Sequence, residues 1–297
     1  MTDACLYFLP GQQAPAEALA KALQIAARPI HIRRFPDGES LVRIDPPPTT
    51  AIVYASLDRP NEKLVELILA AAALADNGAR RLVLVAPYLC YMRQDMAFAP
   101  GEAVSQRVIG ALLAQRFDRV IAVDPHLHRT EDLAQVFPGI AADALSATGL
   151  IADMLRRQGI DRDTVLVGPD AESRQWVERV AAPLGLELLI GEKQRHGDRD
   201  VDVTVAGVER ARGRPAILID DVVSSGMTVA RCARVLRQAG VGPVKLVTVH
   251  ALIGADDWAQ VQAAGVDDIC SSDSIAHPSN RFSLAPLLAA ALAGECA

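Results

Sequence analysis

An α/β fold made of two similar domains, each a parallel β-sheet flanked by helices, is what the sequence predicts. Three observations carry that expectation. Hydrophobic residues make up 51% of the 297 residues but aromatics only 4%, so Ala, Leu and Val supply most of the apolar content. That mix suits helices packed on parallel strands better than a β-sandwich. Short continuous apolar runs alternate with longer helical patterns along the chain, the signature of strands buried on both faces. Polar clusters recur where these runs end: Tyr88 onward, Asp124 to His126, Asp170, and Asp220-Asp221. Open parallel sheets bind ligands at that edge.

The elements follow in order. IVYASL (52–57) reads as a strand, followed by a helix through LVELILAAAALA that stops at Asn77-Gly78, where Gly suits a left-handed cap. LVLVAPY (82–88), a helix near 104–115 and RVIAVDPH (119–126) continue the alternation. ADALSATG opens a second unit, which sets a boundary near residue 145 and domains of 1–145 and 146–297. TVLVGPD (164–170), a helix over 171–183, AILIDD (216–221), a helix over 228–239 and KLVTVHAL (245–252) repeat the pattern. The least structured stretches are PPPTT (46–50), residues 96–103 and GEKQRHGDRD (191–200), the last reading as a mobile loop.

Composition also excludes. The net charge of −6 argues against a broad basic face for nucleic acid, so any phosphate must be held locally, by amides, a few basic side chains or a metal. Five scattered cysteines with no CxxC pair fit free thiols in a reducing compartment. MTDACLYFLPG lacks the basic start and apolar run of a signal peptide. The longest apolar run, LILAAAALA (67–75), falls short of the ~18 residues a membrane span requires. A cytoplasmic protein with no membrane partner is the expectation.

ILIDDVVSSGMTVARCARVL (217–236) is the most informative segment. An apolar strand ends in Asp220 and Asp221, and the small residues Ser224, Ser225 and Gly226 lead through Met227 and Thr228 into a helix. Small residues let backbone N–H groups converge on an anion, and the helix start adds partial positive charge. The hydroxyls of Ser225 and Thr228 can donate to a phosphate, and the paired acids are placed to grip sugar hydroxyls. A plain capped helix needs only one such residue. The pattern is not a P-loop, because GxxxxGK[ST] is absent.

This segment resembles the phosphoribosyl-pyrophosphate motif shared by phosphoribosyltransferases and ribose-phosphate pyrophosphokinases. Three further segments favour the second family. RRFPDGESLVRI (33–44) resembles its FxDGE signature, which implies that Phe35, Asp37 and Glu39 contact the adenine nucleotide. APYLCYMRQDMAF (86–98) looks like its PYxxYxRQD element, implying that Arg93, Gln94 and Asp95 meet ATP, and PGEAVSQR (100–107) lengthens the match. VDPHLHRTEDL (123–133) is similar to its VDLH segment, so His126 is implied as a phosphate and metal contact, with His128 a possible second ligand. Asp170 in VGPDAES matches the Asp that holds Mg²⁺ beside the ribose, and Lys193 and Arg195 match a pair of catalytic loop cations. Mg²⁺ takes one or two carboxylates and completes its shell with water and phosphate oxygens, so sparse ligands suffice.

The resemblance implies a phosphoribosyltransferase-like fold in both domains. It also implies ATP and ribose 5-phosphate as substrates, Mg²⁺ as cofactor, and a homo-oligomer of at least two subunits with shared ATP sites. It spans about residues 5 to 285, with its motifs in the family's order. The chain departs from the family at 224–228, where Ser-Ser-Gly-Met-Thr stands for the more usual Asp-Thr-Ala-Gly-Thr, and the loop after Arg195 is short and lacks proline. A phosphoribosyltransferase would leave FPDGE, RQD and the Lys-Gln-Arg run unexplained. A catalytically silent relative would be expected to lack the loop cations or metal ligands, which are present here.

Overall fold

The structure, a computed structural model, describes residues 3–127, 129–130, 132–195 and 201–296. Packing divides the chain into two compact units: 1–146 with 274–276 and 283–297, and 147–273 with 277–282.

The first unit begins β1 (Ala4–Phe8), α1 (Gln13–Leu23), β2 (Ala26–Pro29) and a separate antiparallel hairpin, β3 (His31–Arg34) and β4 (Ser40–Arg43). It continues with β5 (Thr50–Tyr54), α2 (Pro60–Asp76), β6 (Arg81–Ala86), α3 (Ser105–Ala114), β7 (Arg119–Val123) and β8 (Ala141–Leu145). The sheet order is β2-β1-β5-β6-β7-β8, parallel throughout. β1, β5, β6 and β7 are buried almost end to end, as a sheet covered on both faces requires. Pro60, near the start of α2, suits the first turn of a helix, and Leu64, Leu67, Ala71 and Leu74 repeat at helical spacing to bury one face. Gly78 closes α2 with a φ of 109°, a conformation L side chains rarely adopt.

The second unit contains α4 (Thr148–Arg157), β9 (Val165–Gly168), α5 (Arg174–Ala181), β10 (Glu187–Arg195), β11 (Val201–Val205) and β12 (Ala216–Val223). After these come α6 (Met227–Gln238), β13 (Val244–Ala251), α7 (Ala255–Ala263), β14 (Asp268–Ser272) and β15 (Asn280–Phe282). Its sheet runs β11-β10-β9-β12-β13-β14-β15, parallel except where β10 meets β11. Both units are therefore α/β layers around a parallel sheet, as the sequence predicts.

Two local readings change. Residues 191–200 read as a loop, yet β10 continues to Arg195 and pairs with β11, Lys193 opposite Val203 and Arg195 opposite Val201. The alternating valines of VDVTV make β11 a half-buried strand, with Val203 and Val205 in the core, and backbone pairing accepts the polar run beside it. Residues 196–200 of that loop, and His128, lie outside the described residues. The last fifteen residues also depart from the expected boundary. Helix α8 (Ala285–Leu292) packs on α1 in the first unit, and Glu295 accepts hydrogen bonds from Arg81 Nε at 2.5 Å and Arg119 Nη1 at 3.1 Å.

Candidate active site

In the second unit the chemistry gathers at the C-terminal ends of β9 and β12. β12 carries Asp220 and Asp221 and runs on to Val223, because Val222 and Val223 still pair with His250 and Ala251 of β13. The chain bends at Ser224-Ser225 and enters α6 through Gly226, whose φ is 66°. Two constraints select glycine there. L side chains are disfavoured at that φ, and a Cβ would lie 2.5 Å from Val261 Cγ2 and 2.9 Å from Ile253 Cδ1. No side chain caps α6, so the simple reading of this segment as a Ser- or Thr-capped helix does not hold. Ser225 is exposed, Ser224 and Thr228 are half-buried, and the departing Met227 is 43% exposed, outside the core.

Asp221 is buried and its Oδ1 accepts from the Val222 amide at 2.8 Å, while its backbone carbonyl accepts from Thr248 Oγ1 at 3.2 Å. Burial, followed by the charges of Asp221 and Asp170, holds the carboxyl of Asp220 well above the ordinary carboxylate range. Part of the Asp220 surface still opens to solvent, which softens that push. Asp170 itself caps a turn: its Oδ1 accepts from the amides of Glu172 and Ser173, both at 3.1 Å, and Ser173 Oγ returns a bond to the Asp170 carbonyl at 2.6 Å. This turn is why α5 starts at Arg174 instead of 171. Three acids thus crowd one sheet edge beside an uncapped helix start. A hard cation relieves such crowding, and a phosphate and sugar complement the amides and acids.

In the first unit the β3–β4 hairpin presents Phe35-Pro36-Asp37-Gly38-Glu39 as its turn. The Phe35 amide donates to the Glu39 carbonyl at 2.8 Å, and Gly38 supplies a φ of 93°. The Arg33 guanidinium lies 4.8 Å from the centre of the 37%-exposed Phe35 ring, and Asp37 and Glu39 are exposed. After β6, Tyr91 and, after β7, Asp124 hold left-handed backbone at φ 60° and 37°, strain of the kind that gathers at functional loops. His126 follows Asp124 and is half-buried.

The RQD triplet divides. Arg93 is exposed. Gln94 accepts from Ser105 Oγ at 2.6 Å and so ties down the start of α3. The Asp95 carboxylate is only 1% exposed and accepts from the Arg129 backbone amide at 3.2 Å and from Arg129 Nη1 at 2.8 Å. The family resemblance implies an ATP contact for Asp95; in the structure its carboxylate is bonded to Arg129. Arg129, whose guanidinium also lies 5.8 Å from the Phe98 ring, was not singled out in the sequence; its only signal was a charge three residues past His126. Ser173 and Thr248 escaped notice in the same way. Among the described residues no three His, Cys, Asp or Glu side chains are arranged as a metal cage.

Comparison with known proteins agrees with this geometry. Residues 5–116 match the family model of the N-terminal domain of ribose phosphate pyrophosphokinase, and residues 143–272 match the phosphoribosyl transferase domain. A ribose-phosphate pyrophosphokinase of Methanopyrus kandleri is 32% identical, covering 92% of this chain and 93% of the relative. One from Pyrococcus furiosus is 29% identical over 86% of this chain and 90% of its own. The crystal structure of phosphoribosylpyrophosphate synthetase from Mycobacterium smegmatis superposes with a TM-score of 0.82 at 25% identity, covering 97% of both chains. With two matched domains, a shared fold and the acid-plus-loop edge of β12, the chain belongs to the ribose-phosphate pyrophosphokinase family.

Proposed function

We propose that the chain is an Mg²⁺-dependent ribose-phosphate diphosphokinase, converting ATP and ribose 5-phosphate to AMP and 5-phosphoribosyl 1-diphosphate. The sugar-phosphate half of this reading is carried by the end of β12, with paired acids, a left-handed Gly226 and an uncapped helix start between Asp220 and Thr228. The ATP half is supported by the match of residues 5–116 to the N-terminal domain of ribose phosphate pyrophosphokinase. The amides of residues 225–228, with Ser224, Ser225 and Thr228, receive the 5-phosphate. Asp220 and Asp221 orient the ribose hydroxyls. The anomeric oxygen attacks the β-phosphorus of ATP, the bond from that phosphorus to the α,β-bridging oxygen breaks, AMP leaves, and the hydroxyl proton passes to solvent.

In the first unit Phe35, Asp37 and Glu39 hold the adenine nucleotide, Arg93 and His126 its phosphates. Gln94 and Asp95 keep the segments that carry them in register. Asp170 in the second unit and His126 in the first are the residues that would contact Mg²⁺, which would supply charge neutralisation on phosphate oxygens. Lys193 and Arg195, at the end of β10, neutralise charge developing on the transferred group. By analogy with the family, the ATP site is completed by the FPDGE turn of a second subunit, so the working form is at least a dimer.

The test incubates the protein with ATP, ribose 5-phosphate and Mg²⁺ and quantifies AMP and the sugar diphosphate by chromatography. Equimolar products that vanish without the sugar phosphate, and fall at least a hundredfold in Lys193→Ala, are expected. ATP binding without either product would overturn the proposal.

A further inference from the structure

We propose that Glu66 of α2 is a positioning residue for the adenine nucleotide, clamping the β3–β4 hairpin at the base of its FPDGE turn. Arg34 and Ser40 are the last cross-strand pair before the turn, one on each strand. Both reach the same acceptor: Arg34 Nε at 3.3 Å, Arg34 Nη2 at 3.0 Å and Ser40 Oγ at 3.2 Å all donate to Glu66 Oε1. The Glu66 side chain is 6% exposed, so a buried carboxylate is committed to this one junction. Arg34 also reaches Glu62 at 2.7 Å, but that carboxylate is 71% exposed and its contribution is screened by solvent.

The hairpin depends on such an anchor. β3 and β4 form their own two-stranded sheet, outside the six-stranded one, and an isolated hairpin is at best marginally stable. Ile32 and Val42 pack against the core of the unit and fix the strands, but they sit two pairs further from the turn. At the turn end the connection to α2 runs through Glu66. Removing a buried acceptor that holds both strands leaves Arg34 and Ser40 to water and frees the turn to pivot about that inner pair. The inference rests on the reading that this turn contacts ATP.

Three measurements on the full chain test it: kinetics with ATP and ribose 5-phosphate varied separately, calorimetric titration with ATP alone, and amide hydrogen exchange over residues 31–43. Glu66→Ala is expected to raise the KM and Kd for ATP at least tenfold, leave the KM for ribose 5-phosphate within twofold, and speed exchange in the hairpin. Glu66→Gln keeps Oε1 and should stay within about threefold of the starting protein. Arg34→Ala should resemble Glu66→Ala, and the double variant should be no worse than either.

A folded Glu66→Ala protein with ATP constants within twofold of the original would overturn the proposal. So would equal losses for both substrates, or a Glu66→Gln variant as impaired as the alanine. If Glu66→Ala fails to fold, Ser40→Ala, which removes one of the three bonds, takes its place; an unchanged ATP KM there refutes the clamp. If the unmutated chain makes no AMP, the proposed reaction falls, while ATP titration and exchange still decide the clamp.

Discussion

Gly226→Ala is the perturbation that most directly tests the phosphate loop. Two penalties can be worked out from the structure. Placing alanine at a φ of 66° costs about 1–2 kcal/mol. The new Cβ would sit 2.5 Å from Val261 Cγ2 and 2.9 Å from Ile253 Cδ1, and overpacking of that kind costs about 1–3 kcal/mol. Their sum, about 2–5 kcal/mol, is a large part of the ~5–15 kcal/mol that typically holds a domain together. The overlap lies at the start of α6, so relief of it moves the amides that would hold the phosphate. Urea unfolding should show a lower midpoint at unchanged m. The KM for ribose 5-phosphate should rise about tenfold or more, because small misplacements at such a site are costly. Gly213→Ala is the control: its φ is 76° but a Cβ there meets nothing within 4 Å, so only the backbone penalty applies and the KM should not move. A Gly226→Ala protein with the original midpoint and a KM within twofold would refute the steric argument.

Three further outcomes are expected. Hydrogen bonds from Arg81 and Arg119 hold the carboxyl of Glu295 below its ordinary value, despite the opposing effect of burial. Its stabilisation is present above the unfolded value near 4.5 and lost as pH falls through the folded one, so Glu295→Gln should cost about 1–3 kcal/mol at pH 7 and progressively less below pH 4.5, as read by denaturation at several pH values. Asp95→Ala releases Arg129 and should raise the KM for ATP about tenfold while leaving that for ribose 5-phosphate unchanged; steady-state kinetics separates the two. Chelation of divalent cations should abolish AMP formation yet leave the thermal unfolding midpoint of the substrate-free protein unmoved, because an Mg²⁺ ion held by one or two protein ligands and substrate phosphates contributes through the substrate complex.

The legible part of the fold was the part made by burial. β5, β6, β7, β9, β12 and β13 are apolar runs buried on both faces, and both their existence and their parallel order follow from composition and spacing. β10 was legible only in its apolar half, because its far end is polar and owes its extended form to pairing with β11. The short strands β2, β3 and β4 carry charged and half-exposed residues and give no periodic signal. At the site, the acids and small residues of 220–228 were readable because that combination has few other uses. What sequence could not supply was the division of labour within RQD. Whether a carboxylate faces a ligand or a neighbouring arginine depends on contacts such as Asp95 with Arg129, 34 residues apart.

The path of the chain through its two units also constrains how it is made. The first unit needs α8 against α1 and Glu295 between Arg81 and Arg119, although Glu295 lies 214 and 176 residues beyond those two arginines. On the ribosome the chain emerges from its N-terminus, so the second unit is complete and free to fold while the first still waits for its final helix. During that interval the α1 surface that α8 will cover, including the apolar positions that pack against it, faces solvent. Synthesis therefore has a vulnerable window whose length is set by translation of the whole insert, and a stall near residue 280 would leave a finished second unit tethered to an unfinished first.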